Sequence, residues 1–290
     1  MDSPYRHIVL AGAIVVGAFV SLYYHILIRL VHDWGTDGNY SHGFLVVPIA
    51  AYLIWERRAM LKATELQPRN SGLLVVVASL AVLTAGVLGS ELFLSRVSML
   101  GVLAGSILFV AGWQYLRILS FPLGMLLITI PLPAIIFNQV AFPLQLLASR
   151  FGAAALGAAG VPVLREGNLM VLANTTLEVA EACSGMRSLM SLLTLGVVIG
   201  YFSDQRTWVR VLLSLATIPI AIFTNACRVA GTGIAAHYVG PQAAEGFLHS
   251  FSGWLVFVMA LMLVLAVRQI VTVFAPAVRE CGSVPCPEPA

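Results

Sequence analysis

Long uncharged apolar runs recur along this chain, separated by short polar connections. They predict helices near residues 8 to 30, 40 to 55, 71 to 90, 97 to 116, 118 to 131, 186 to 202, 209 to 228 and 251 to 271. A hydrocarbon core of roughly 30 Å is crossed by about 20 apolar residues in a helix. In lipid, only helices and closed barrels satisfy their own backbone groups, and the runs lack the period-two alternation of a barrel strand. The pattern therefore predicts an all-α polytopic membrane protein of about eight transmembrane helices. The first run begins near Ile8 without an A-x-A-like cleavage site, and further spans follow it, so it reads as a retained helix rather than a signal peptide.

The pattern changes between residues 118 and 185. Pro122, Pro131, Pro133 and Pro143 interrupt helices by removing donors and crowding the preceding turn. One span is expected to end near Pro131, followed by an amphipathic or re-entrant helix over about 134 to 159. Residues 161 to 172 then read as a short β-hairpin turning at Gly167-Asn168, with Thr175 to Val179 as a further strand. A small extracytoplasmic β element thus precedes Cys183. With no internal repeat and no long linker, residues 1–272 read as one membrane-embedded domain and 273–290 as a short cytoplasmic tail.

Composition agrees: 59% of the 290 residues are hydrophobic and 10% charged, against a charged share of roughly 25% in soluble domains. Membrane lipid is the first partner this implies. The net charge of +3 forms no basic stripe with interleaved aromatics, so nucleic acid is not an expected partner. The placement of charge is more informative. Arg57, Arg58, Lys62 and Arg69 crowd one short connection, which the positive-inside rule assigns to the cytoplasm. Counting spans from there puts the N-terminus, Arg117, the Arg206 to Arg210 loop and the tail inside as well. Residues 31 to 40, 132 to 185 and 229 to 250 then face outward.

Four cysteines, Cys183, Cys227, Cys281 and Cys286, show no C-x-x-C spacing, so neither a metal site, nor a cofactor, nor a disulfide framework is expected. Cys183, in Glu181-Ala182-Cys183-Ser184-Gly185-Met186-Arg187, stands just before the sixth predicted helix. The positive dipole end there stabilises a thiolate. Arg228, in Asn225-Ala226-Cys227-Arg228, is expected to end the seventh helix, where the negative end favours a cation. His249 opens the eighth, where the positive end leaves a neutral base. A nucleophile, a base and a fixed cation on one membrane face are the parts of acyl transfer through a thioester.

Each residue also has a plainer reading. Cys183 could be a small packed side chain, Arg228 a snorkelling interfacial anchor, and His249 a ring satisfying a carbonyl. Cys227 could pair with Cys183. The offset of about 100° between neighbouring helical positions, however, lets Cys227 point away from a site that Arg228 faces, which favours a free thiol. Supporting candidates are Ser184, Glu181 and Asn225, with Glu178 a further flanking carboxylate. His42, in Asn39-Tyr40-Ser41-His42-Gly43, could line a substrate entrance or belong to a turn capped by Ser41.

The Ala-Cys-Ser-Gly-Met-Arg stretch, the later Asn-x-x-Arg, the Leu-His opening a helix, and Asn39-Tyr40-Ser41-His42-Gly43-Phe44-Leu45, taken in this order, resemble the exosortase and archaeosortase family. The likeness runs from about Trp34 to about Val267. It implies a bacterial inner-membrane cysteine protease and transpeptidase, sortase-like in chemistry, with Cys183, Arg228 and His249 as its outward-facing, periplasmic site. It also implies partners: exported proteins whose C-terminal sorting tail joins a Pro-Glu-Pro motif, a membrane helix and a basic cluster, in polysaccharide-associated sorting. The Pro287-Glu288-Pro289 at this chain's own end has no such helix after it and reads as chance. The alternative class is a non-enzymatic transporter or assembly partner in polysaccharide export, with Arg228 binding an anion. Intramembrane serine proteolysis lacks its G-x-S-x-G-like motif.

Overall fold

The computed structural model describes the backbone of residues 3–173, 176–178, 186–203, 206–240 and 246–274, and side chains from Ile14 onward within those stretches, except at 177–178 and 246–252. Two compact units divide the chain, Met1–Val140 and Ala141–Ala290.

The first unit holds α1 (Ser3–Thr36), α2 (Gly43–Glu56), α3 (Arg58–Ala63), α4 (Ser71–Leu88), α5 (Leu92–Val110) and α6 (Trp113–Ile128). Helices α4 and α5 form its tightest pair. Lipid supplies no hydrophobic force between helices, so close approach over small residues holds them together. A Cβ added at Gly72 would stand 2.3 Å from the Phe109 backbone nitrogen, and one at Gly101 would stand 2.3 Å from Ser79 Oγ. Polar contacts join α1 to α5: Tyr23 and Ser98 share a 3.0 Å hydroxyl hydrogen bond, and buried Arg96 donates to Asp33 Oδ2 at 2.5 Å. A buried cation in such surroundings persists only when paired.

The second unit carries most of α7 (Ala134–Ala158), then β1 (Val163–Glu166), β2 (Leu169–Leu172), β3 (Thr176–Glu178), α8 (Met186–Ser203), α9 (Thr207–Val239) and α10 (Gly246–Phe274). The strands make one antiparallel sheet in the order β1-β2-β3, with Glu166 opposite Leu169 across a turn in which Gly167 takes φ 66°. That positive φ is why glycine suits the position, and the hairpin is the expected one. Met170 and Leu172 of β2 pack with Ala148 and Leu156 of α7 and Val229 of α9. A second core of Leu192, Ala221, Ala260 and Val264 binds α8, α9 and α10 into a three-helix group.

The architecture is a polytopic helical membrane protein with a small sheet. Among the described residues, seven helices are long and apolar enough to cross a membrane. Six match predicted spans, while two more predicted spans appear as the shorter apolar helices α2 and α6. The seventh is α7, a 25-residue helix long enough to span where an amphipathic or re-entrant segment was expected. A second difference is that α9 does not stop at Arg228 but continues to Val239.

Candidate active site

Cys183, Ser184 and Glu181 lie outside the described residues; in sequence, Cys183 stands three positions before Met186, the buried first residue of α8. Glu178 ends β3, paired across the sheet with Leu169.

Arg228 does not sit at a helix terminus. With α9 running to Val239, it lies well before the last turn, so the negative dipole end offers it little. What positions it is packing. Helices α9 and α10 meet where α10 carries Gly253, and a Cβ built there would be 3.5 Å from Arg228 Nη2, 3.6 Å from Cζ and 3.9 Å from Nη1. The guanidinium therefore rests against the α10 backbone in the room left by a missing side chain. Its neighbour Val229 is buried on the other side, in the core shared with α7 and the hairpin, so α9 is held from two directions. Thr224 and Asn225, about one turn earlier, are buried, and the Thr224 hydroxyl donates to the Ile220 carbonyl at 2.8 Å. Cys227 is exposed and its thiol is free.

His249 lies in the first turn of α10, which begins at Gly246; its side chain is outside the described residues. Position 249 precedes Gly253 by four, and helical residues four apart share one stripe. The stripe against which the Arg228 guanidinium rests is thus the one that carries position 249.

His42 belongs to the first unit and has a structural setting. The turn between α1 and α2 grips the end of α6, where Pro131 and Pro133 supply no donors. The Trp34 indole donates to the Thr129 carbonyl at 2.9 Å, His42 Nε2 is 3.2 Å from the Ile128 carbonyl, and the Leu132 amide donates to Tyr40 Oη at 3.0 Å. His42 is 6% exposed. Burial pushes its imidazole below the ordinary value of 6.5, and backbone contacts at Ile128 and Asn39 oppose this in part. The Ser41 hydroxyl bonds back to the Gly38 carbonyl at 3.1 Å instead of capping α2, whose N-cap is His42 itself. Gly43 completes the grip, because a Cβ there would fall 2.5 Å from the Trp34 ring.

Sequence reasoning gave no role of their own to Trp34 and Tyr40, which it met only within the stretch of family likeness, and passed over Gly253. The only local signal for Gly253 was its spacing of four from His249. No group of three or more His, Cys, Asp or Glu among the described residues is placed to hold a metal ion. A half-buried guanidinium beside a helix opened by a histidine can steady an anion that forms next to it.

A family model described as transmembrane exosortase matches residues 34–266, running through both units and taking in the α1–α2 turn, Cys183, Arg228 and His249. No curated protein and no solved structure matches the chain. The match spans most of the sequence and fits the polytopic helical fold with its small sheet, and on that ground the chain belongs to the transmembrane exosortase family.

Proposed function

We propose that this protein is a membrane-embedded cysteine protease and transpeptidase. It cuts C-terminal Pro-Glu-Pro-type sorting tails from exported proteins through an acyl-thioester, at the periplasmic face of a bacterial inner membrane, in polysaccharide-associated sorting. Residues 1–272 form its single working domain. The observation that carries the reading is the Arg228 guanidinium resting at Gly253, one turn from position 249, in a chain matched by the exosortase family.

His249 takes the proton of the Cys183 thiol, and the thiolate sulfur attacks the scissile carbonyl carbon. A C–S bond forms and the carbonyl oxygen becomes an oxyanion, which the Arg228 guanidinium steadies. Arginine stays protonated at any working pH, so it serves as a fixed donor rather than a proton shuttle. The tetrahedral centre collapses, the C–N bond breaks, and the leaving amine takes its proton from the His249 imidazolium. A thioester on Cys183 remains, and an incoming amine or water releases the thiol. Asn225, Ser184 and Glu181 support this centre. A substrate anchored by its own membrane helix presents the cleavage site at a fixed depth beside these residues, which supplies proximity without a deep pocket.

Cys183→Ala is expected to abolish processing of a co-expressed substrate bearing such a tail while the chain stays at its normal level in the membrane. Unchanged cleavage would refute the proposal.

A further inference from the structure

The connection from α2 to α4 is pinned in place rather than trailing between spans. The Arg57 side chain donates to the Ile118 carbonyl, and the Tyr115 hydroxyl donates to the carbonyls of Leu61 at 2.7 Å and Thr64 at 3.2 Å. Further along, the Gln67 amide bonds to the Ala111 carbonyl at 3.1 Å and the Arg69 amide to that of Leu108 at 3.3 Å. Gly112, at φ 93°, makes the approach of Gln67 possible, since a Cβ there would clash with the Gln67 carbonyl oxygen.

What this pinned segment presents outward is both apolar and basic. Trp55 and Met60 are each 58% exposed and Leu66 is 41% exposed, while Arg58, Lys62 and Arg69 are exposed beside them. The Arg58 guanidinium lies 3.9 Å over the Trp55 ring and donates to the Trp55 carbonyl at 3.0 Å, which fixes a cation at the rim of an apolar surface. Lys62 follows one turn later on α3, and exposed Arg117 of α6 adds a further charge. Glu56 and Glu65 are exposed here too, and the balance stays positive. Exposed tryptophan and methionine beside fixed cations suit the boundary between acyl chains and anionic headgroups.

We propose that residues 55–69 form a docking platform for anionic phospholipid, with phosphates held by Arg58 and Lys62 and acyl chains lying against Trp55 and Met60. The idea is independent of the chemistry at Cys183. Each basic side chain near an anionic surface favours it by roughly fivefold, so the platform should gather such lipid several-fold over a zwitterionic one.

The test uses the full chain reconstituted in phosphatidylcholine bilayers containing phosphatidylglycerol, with acyl-chain bromine on one lipid or the other. The Trp55 contribution to quenching is the difference from Trp55→Phe. Brominated phosphatidylglycerol is expected to quench Trp55 several-fold more than brominated phosphatidylcholine, with the preference shrinking as salt rises. It should fall several-fold in Arg58→Gln/Lys62→Gln, which leaves Arg69 and Arg117 in place, and persist in the charge-conserving Arg58→Lys/Lys62→Arg. Equal quenching by both lipids in the native chain, a preference undiminished in the neutral pair, or one lost in the charge-conserving pair would each overturn the proposal.

Discussion

His42 and Arg228 are polar side chains in apolar surroundings, and the structure puts them to different uses. His42 is held against a backbone carbonyl 86 positions away, while Arg228 rests on a glycine of the next helix. Because burial keeps the His42 imidazole below its ordinary value of 6.5, the unfolded chain binds this proton more readily than the folded one. Stability from this residue is therefore complete above about pH 6.5 and drains away as pH falls toward the folded value. The thermal midpoint of the purified protein should drop between pH 7.5 and pH 5 by more than that of His42→Gln, and the gap between the two curves measures the effect. Parallel curves would mean that His42 takes no part. None of this was legible in the motif around His42, because its partners come from an element distant in sequence. The exposure of Cys227 beside half-buried Arg228, by contrast, follows from the helical offset alone.

At the level of elements, the apolar runs disclosed the helices and Gly167-Asn168 disclosed the hairpin, because both signals are local. The end of α9 was not legible. A charge closing an apolar run looks like a helix terminus, yet here Arg228 is accommodated mid-helix because α10 offers a glycine where the guanidinium arrives. The extent of α7 was legible, since Ala134–Ala158 matches the helix expected over about 134 to 159 straight through Pro143; what was not legible is that this helix is apolar and long enough to span rather than to re-enter. The α9–α10 contact makes a graded test. At Gly253 an added methyl would meet the guanidinium at ordinary van der Waals distance, so Gly253→Ala should process substrate at close to the native rate. Gly253→Leu must move the guanidinium, and a displacement of about 1 Å in a catalytic group can cost on the order of 100-fold. Comparing the cleavage rates of the two variants at matched protein levels reads the effect, and equal rates would show that the chemistry does not depend on this contact.

For the whole molecule, the membrane character was readable from composition and run length, since a chain with so few charges has no other way to be solvated. The family match runs through both compact units, so the α1–α2 turn and the α8–α10 group belong to one inherited design. The order of the motifs carried that information before any coordinates did. What sequence could not supply was the contact between Arg228 and α10, because it depends on how two long helices pack. The proposal that this design arms one thiol is tested most directly by trapping the intermediate. The full chain, incubated with a tail-bearing substrate and quenched rapidly, should show by intact mass and peptide mapping a hydroxylamine-labile acyl adduct on Cys183. An adduct on Cys227 with Cys183 unmodified, or turnover with no adduct on any cysteine, would contradict the account.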